Sequence, residues 1–343
     1  MTSPATTPHH RPNALRSGLV LTGVAVVFCG LLAGFWTVYR LWIHYERRAA
    51  KHLPESAVAA ARLDLEQVVL FEPFRQHVLG TMKRLVTEAE WSELSEQLGV
   101  NFGMDLREVM VALGERGNWV LVIAGLFPDH VLVGRLDAWF HAHAPDVCHA
   151  VGERLECPGL GIVAQQAADG SMIGAADVAT LEQALVASER FVDLGLDLQS
   201  TAIQFGWRVA APSSGVPSLA AAGLALVPGS NVLGQTRAVG GRVLLEEDDA
   251  KVEVRFTPND GIDVQGYSAS LESARQTLQT LATLGRPEAA GEATLLAKAR
   301  ISVARGAGAS GVLVESSWPR RDIDRAAQLL GEALARWVDS VKR

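Results

Sequence analysis

The hydrophobic and polar positions divide the chain into one long uniform apolar run and many short periodic ones. The long run is Ser17 to Tyr39, SGLVLTGVAVVFCGLLAGFWTVY, which carries no charge and is fenced by Arg16 and Arg40. As a helix it reaches roughly 35 Å, enough to cross a hydrocarbon core of about 30 Å with some tilt. Residues 1–16 read as a disordered tail ahead of this transmembrane helix at 17–39, and residues 40–54 as an amphiphilic helical stalk ending before Pro54.

Beyond the stalk, alternation for strands and 3.6-residue spacing for helices take over. Ala57 to Leu65 (AVAAARLDL) reads as a strand, and Phe74 to Leu98 as a helix with Val78, Met82, Leu85 and Val86 on one face. Glu108–Leu113 and Trp119–Leu126 flank Gly114–Asn118 as a hairpin, followed by a helix through Leu132, Leu136, Trp139, Phe140 and His143. Strands near 147–157 and 161–174 lead to a helix at 177–188. Thr201 to Ala210 is a further strand, ahead of a short Ala/Leu helix near 217–226. Strands at 240–247, 251–257 and 262–268 precede a helix at 270–284; strands at 299–305 and 311–317 precede a last helix carrying Ile323, Leu330, Leu334 and Trp337.

A hairpin feeding a helix therefore recurs, and residues 55–190 and 200–343 read as two degenerate repeats with a boundary in Arg190–Ser200. Short hairpin connections exclude a parallel arrangement. The expected fold class is α+β: a transmembrane helix followed by two repeats of antiparallel sheet with helices packed on one face.

Two rivals compete for the apolar run. A cleavable signal peptide has a shorter apolar region, whereas here Phe35, Trp36, Tyr39, Trp42 and Tyr45 follow in the manner of an interfacial aromatic belt. A lipoprotein would acylate Cys29, but Phe28 stands where processing needs a small residue. Arg40, Arg47, Arg48 and Lys51 after the run favour a cytoplasmic carboxy-terminal side, against Arg11 and Arg16 before it. The cysteines argue the other way.

In Cys148-His-Ala-Val-Gly-Glu-Arg-Leu-Glu-Cys157, Gly152-Glu153 fits a two-residue hairpin turn with Gly first. Counting outward places Cys148 opposite Cys157 at a non-hydrogen-bonded pair, with Cα atoms about 4.5 Å apart, within reach of a disulfide. Two unrelated thiols is the alternative. A bridge would place the domain in an oxidising compartment.

Charge narrows the partners. The formal net charge is −7, with 25 basic and 37 acidic side chains beyond Lys51. A body that acidic is repelled by phosphate backbones, which sets nucleic-acid binding aside.

Candidate chemistry is sparse. His141-Ala-His143-Ala-Pro-Asp146-Val-Cys148-His149 gathers metal-ligand types. It resembles the His-x-His-x-Asp-His signature of metallo-β-lactamase-like hydrolases, but Pro145 occupies the Asp position and Asp146 the third His position. His141 and His143 also point about 200° apart on a helix, so a solvated helix end is the expectation and no metal or cofactor is assigned. Gly306-Ala-Gly308-Ala-Ser-Gly311 matches a dinucleotide-binding pattern, yet Val312-Leu-Val-Glu continues as a strand, so a hairpin loop is the reading. The acidic run Glu246–Asp249 lacks the alternating spacing of a calcium loop and reads as a solvated turn. No elbow, Walker loop or zincin motif appears, and no catalytic residue is assigned.

Leu53-Pro54-Glu-Ser-Ala57, opening a strand after a membrane helix, resembles single-pass bacterial envelope proteins built from strand-strand-helix units. That resemblance implies no activity. The expectation is a single-pass inner-membrane protein with a periplasmic binding or scaffold domain, partnered by the membrane and an envelope protein. The alternative is an anchored hydrolase acting on envelope material through His141, His143, Asp146 and His149.

Overall fold

The computed structural model describes residues 45–79, 88–115, 117–199, 201–209, 232, 234–246, 249–285, 298–306 and 309–341. The apolar run at 17–39, the tail and the Ala/Leu helix expected at 217–226 lie outside them. No helix among the described residues is long and apolar enough to cross a membrane. Contacts divide the chain into Met1–Glu46 and Arg47–Arg343, and the described helices and strands all belong to the second unit.

The fold is α+β: one large antiparallel sheet with several helices. Its strands are β1 (Ala57–Asp64), β2 (Leu106–Gly114), β3 (Trp119–Gly125), β4 (His149–Val151), β5 (Arg154–Cys157) and β6 (Ile162–Gln166). They continue with β7 (Met172–Ala175), β8 (Ile203–Arg208), β9 (Thr236–Leu245), β10 (Asp249–Pro258), β11 (Arg300–Gly306) and β12 (Ala309–Pro319). The helices are α1 (Leu65–Leu70), α2 (Glu88–Leu98), α3 (Leu132–His143), α4 (Val178–Leu185), α5 (Val264–Gly285) and α6 (Arg320–Val341). The spatial order is β11-β12-β10-β9-β8-β1-β2-β3-β7-β6-β5-β4. The two halves thus share one continuous sheet, joined where β1 pairs with β8 through Ala61↔Phe205 and Leu63↔Ile203.

Strand composition decides which faces are covered. In β3 (WVLVIAG) both alternating sets are apolar, which suits burial on both sides. Val120 and Val122, with Ile173 and Ala175 of β7, are fully buried on the face contacted by α4 and the 3-10 turn Ala49–His52. On the opposite face, α3 places Val133, Leu136 and Phe140 over Leu155, Cys157, Ile162, Ala164 and Met172. α5 lies on that same opposite face at the far wing, setting Tyr267 and Leu271 against Phe256, Ile301 and Val312. Helices therefore pack on both faces of the first half rather than one, although Val111 and Leu113 of the central strand β2 remain exposed.

Three further expectations are corrected. Residues 262–268 are not a strand: α5 starts at Val264, where Asp263 caps it by accepting from Gly266 N at 2.8 Å. The stalk is not a continuing helix over its described part either. Residues 45–48 are not helical, and Ala49–His52 forms a single 3-10 turn with Ala49, Ala50 and Leu53 buried against the sheet. Of the helix expected over 74–98, Arg75–Leu79 is a π turn that follows α1 and a short turn at Glu72–Phe74, residues 88–98 form α2, and residues 80–87 lie outside the described residues. The turn at Glu72 is tied to the start of α6 by Arg320 Nη2 donating to Glu72 at 2.6 Å.

Candidate functional site

Alternation in β10 sends Val252, Val254 and Phe256 to one face and Lys251, Glu253 and Arg255 to the other. Register then assembles a polar floor. Glu253 faces Arg242, Arg255 faces Gly240 and Thr257 faces Ala238; Arg242 in turn faces Gln204, and Ala238 faces Arg208. The segment Val192–Asp197, running out of the 3-10 turn Arg190–Leu194, forms a wall over this floor. Together they enclose a groove of about 850 Å³, which Arg237 and Leu313 complete.

The wall sits close because two floor positions lack side chains. A Cβ on Gly206 would stand 1.9 Å from the Leu194 carbonyl oxygen, and one on Gly240 3.1 Å from it. Ion pairs organise the groove: Arg242 Nε donates to Glu253 Oε2 at 2.6 Å, Arg208 lies 3.5 Å from Asp193, and Arg237 donates to Asp260 at 2.9 Å. A guanidinium carries five N–H donors in a planar fork. These pairs use only some of them, and the carboxylates of Asp193, Asp197 and Glu253 line the groove beside the arginines.

Behind the wall lies a buried charge relay. Arg62 Nη1 donates to the Asp197 carbonyl at 2.6 Å and Nη2 to that of Gln199, holding the wall from beneath. Its Nε lies 3.5 Å from Glu108 Oε1, both side chains wholly shielded. Burial pulls the Arg62 pKa down, and the charges of Glu108, Asp64 and Asp197 oppose that. Glu108 Oε2 accepts from the backbone N–H groups of Arg48 and Ala49 at 2.8 and 3.2 Å. Arg47 pairs with Asp64 at 2.6 Å. The segment entering the body, the sheet centre and the groove wall are thus linked through one set of charged groups.

A second polar contact fixes the same entering segment. His52 is buried, with Nδ1 2.8 Å from the Ala184 carbonyl of α4 and Nε2 3.0 Å from Asp169 Oδ2 in the β6–β7 turn. Burial would raise Asp169, but hydrogen bonds from His52 and from Ser171 N outweigh it and hold the carboxyl well below the usual carboxylate range.

The residues singled out from sequence are distributed differently. His141 is on the exposed side of α3 beside Asp137, while His143 stacks on Trp139 and reaches Glu93 at 3.2 Å. Asp146 lies in the following turn and His149 on the exposed edge strand β4. The four do not converge, and among the described residues no group of three His, Cys, Asp or Glu is placed to hold a metal ion. Cys148 and Cys157 are joined in a buried disulfide with Cα atoms 4.1 Å apart, closing the β4–β5 hairpin. In the Gly306–Gly311 segment, β11 and β12 pair antiparallel through Gly306↔Ala309, and residues 307–308 lie outside the described residues. In the acidic turn, Glu246 is engaged by Lys251.

No protein-family model matches the chain, and no curated protein does. Among solved structures the chain is similar to crystal form III of TP0453, with TM-score 0.42 and 9% identity over 84% of this chain and 99% of that one. Crystal form I of TP0453 gives TM-score 0.41 and 9% identity over 85% and 99%.

Proposed function

We propose that the chain is a membrane-tethered, extracytoplasmic binding or scaffold module of a bacterial envelope, held by Ser17–Tyr39 and offering the arginine-lined groove to a protein partner. The observation that carries this reading is the buried disulfide Cys148–Cys157, since such bridges persist in oxidising compartments. The lone apolar run supplies the tether, which raises the local concentration of the module at the membrane. The groove supplies a surface of donors for an acidic segment of the partner.

The two halves are read as degenerate repeats. Outward from the β1–β8 pair, one arm runs β1-β2-β3-β7-β6 and the other β8-β9-β10-β12-β11, with β5 and β4 as an addition to the first. The matching order, and the shared face of α3 and α5, support that reading. Sequences of relatives whose halves align in any other strand order would contradict it.

The binding reading is tested by a photo-crosslinking side chain at Thr257 in the membrane-bound full chain. A discrete adduct, weakened by Arg242→Glu and Arg255→Glu, is expected. Absence of an adduct, or one indifferent to both substitutions, rejects the groove as the binding surface.

A further inference from the structure

Both ring nitrogens of His52 face oxygen atoms. The Ala184 carbonyl, 2.8 Å from Nδ1, can only accept; Asp169 Oδ2, 3.0 Å from Nε2, belongs to a carboxyl held in its ionised form. A neutral imidazole has one N–H and one lone pair, so either tautomer would leave a lone pair against an acceptor inside the body. The imidazolium satisfies both contacts. We propose that His52 is a resident imidazolium that locks the segment Arg47–Leu53 onto the sheet, and that its deprotonation loosens this segment, making the entry into the body an alkaline-sensitive latch.

The surroundings favour a local opening. On its own segment His52 is flanked by Arg48, which donates to the Asp169 carbonyl and to the Gly125 carbonyl at 2.6 Å, and by Lys51, whose carbonyl accepts from Ser188 N at 2.8 Å. From β1 and β2 come Asp64, paired with Arg47, and Glu108, which accepts from the Arg48 and Ala49 amides. α4 presents the Ala184 carbonyl, with Glu182 turned out towards Arg154. The turn Arg190–Leu194 carries Arg190, paired with Glu55 at 3.4 Å, and Asp193, paired with Arg208. Arg48 Nε also lies 3.9 Å from Asp169 Oδ2, so the carboxylate that meets His52 faces a second cation from the same segment.

Hydrogen exchange of the full chain, purified in detergent and corrected for the intrinsic rate, tests this between about pH 6 and about pH 9, either side of the ordinary imidazole range. Protection across 49–53 and 184–189 is expected to fall by about tenfold or more, the scale of a lost hydrogen bond to a charged group. His52→Gln should flatten that dependence. Wild-type protection that stays constant, or a His52→Gln profile that still follows the wild type, overturns the proposal. Nitrogen-15 spectra of the wild-type ring, which need no variant to fold, must show both nitrogens protonated at about pH 6; one bare nitrogen there overturns it as well.

Discussion

Arg62 and Glu108 meet at the centre of the sheet, Nε to Oε1 at 3.5 Å, with neither side chain exposed. Two buried charges that close are retained only while both are present, because removing one strands the other in a low-dielectric interior. Arg62→Met or Glu108→Leu alone is expected to cost about 3–5 kcal/mol in urea unfolding. The double variant should recover part of that loss, and a double-mutant cycle reads the coupling. Because Arg62 also donates to the carbonyls of Asp197 and Gln199, its removal should loosen the groove wall in hydrogen exchange even where the chain stays folded.

Asp169 predicts the acid limb of stability. Its folded pKa lies below its unfolded value, so its contribution is present above about pH 4 and is lost as pH falls from there through the folded value. Thermal melts of wild type should therefore weaken on acidification below about pH 4. Asp169→Asn should be less stable at neutral pH and should show a shallower acid slope; an identical slope would remove this assignment.

The Cys148–Cys157 bridge closes a short loop and pins β4–β5 beneath α3. Reduction, or replacement of both cysteines by alanine, is expected to cost about 2–3 kcal/mol. Exchange should accelerate first in 148–157 and in the Val133, Leu136, Phe140 stripe of α3.

Close approach of the groove wall gives the next prediction. Gly206→Ala places a methyl where the Leu194 carbonyl stands, so it should destabilise by about 1–3 kcal/mol and displace Val192–Asp197. Gly134→Ala, in the α3 interior with open space around it, should instead stabilise by about 0.5–1 kcal/mol. Urea unfolding of the two variants separates a packing role from a generic glycine effect.

Strand identity was readable wherever the pattern was local. The strand pattern at 251–257 and the apolar run Trp119–Leu126 lead to β10 and β3, and the Gly152-Glu153 turn leads directly to the cysteine pairing. At the start of α5, Ile262 and Val264 alternate as a strand would, whereas Asp263 as a cap and Tyr267, Leu271 and Ala274 at helical spacing carry the helix signal. The entering segment departs from a helix for a different reason. Nothing local shows that the backbone amides of Arg48 and Ala49 will meet Glu108, which lies 60 and 59 residues further along the chain. The groove and the His52 contacts were equally out of reach, since register and long-range pairing create them. One hint was available: Arg62 and Asp64 fall on a single face of the Ala-rich strand β1, an unusual place for charge unless both are paired.

The tethered, extracytoplasmic placement is tested most directly by labelling the full chain in intact spheroplasts with a membrane-impermeant maleimide. The reporter is Val186→Cys, a position 67% exposed just beyond α4. The account predicts labelling before lysis on a chain that stays with the membrane through a high-salt wash. Labelling only after lysis, or release of the chain by salt, would contradict it.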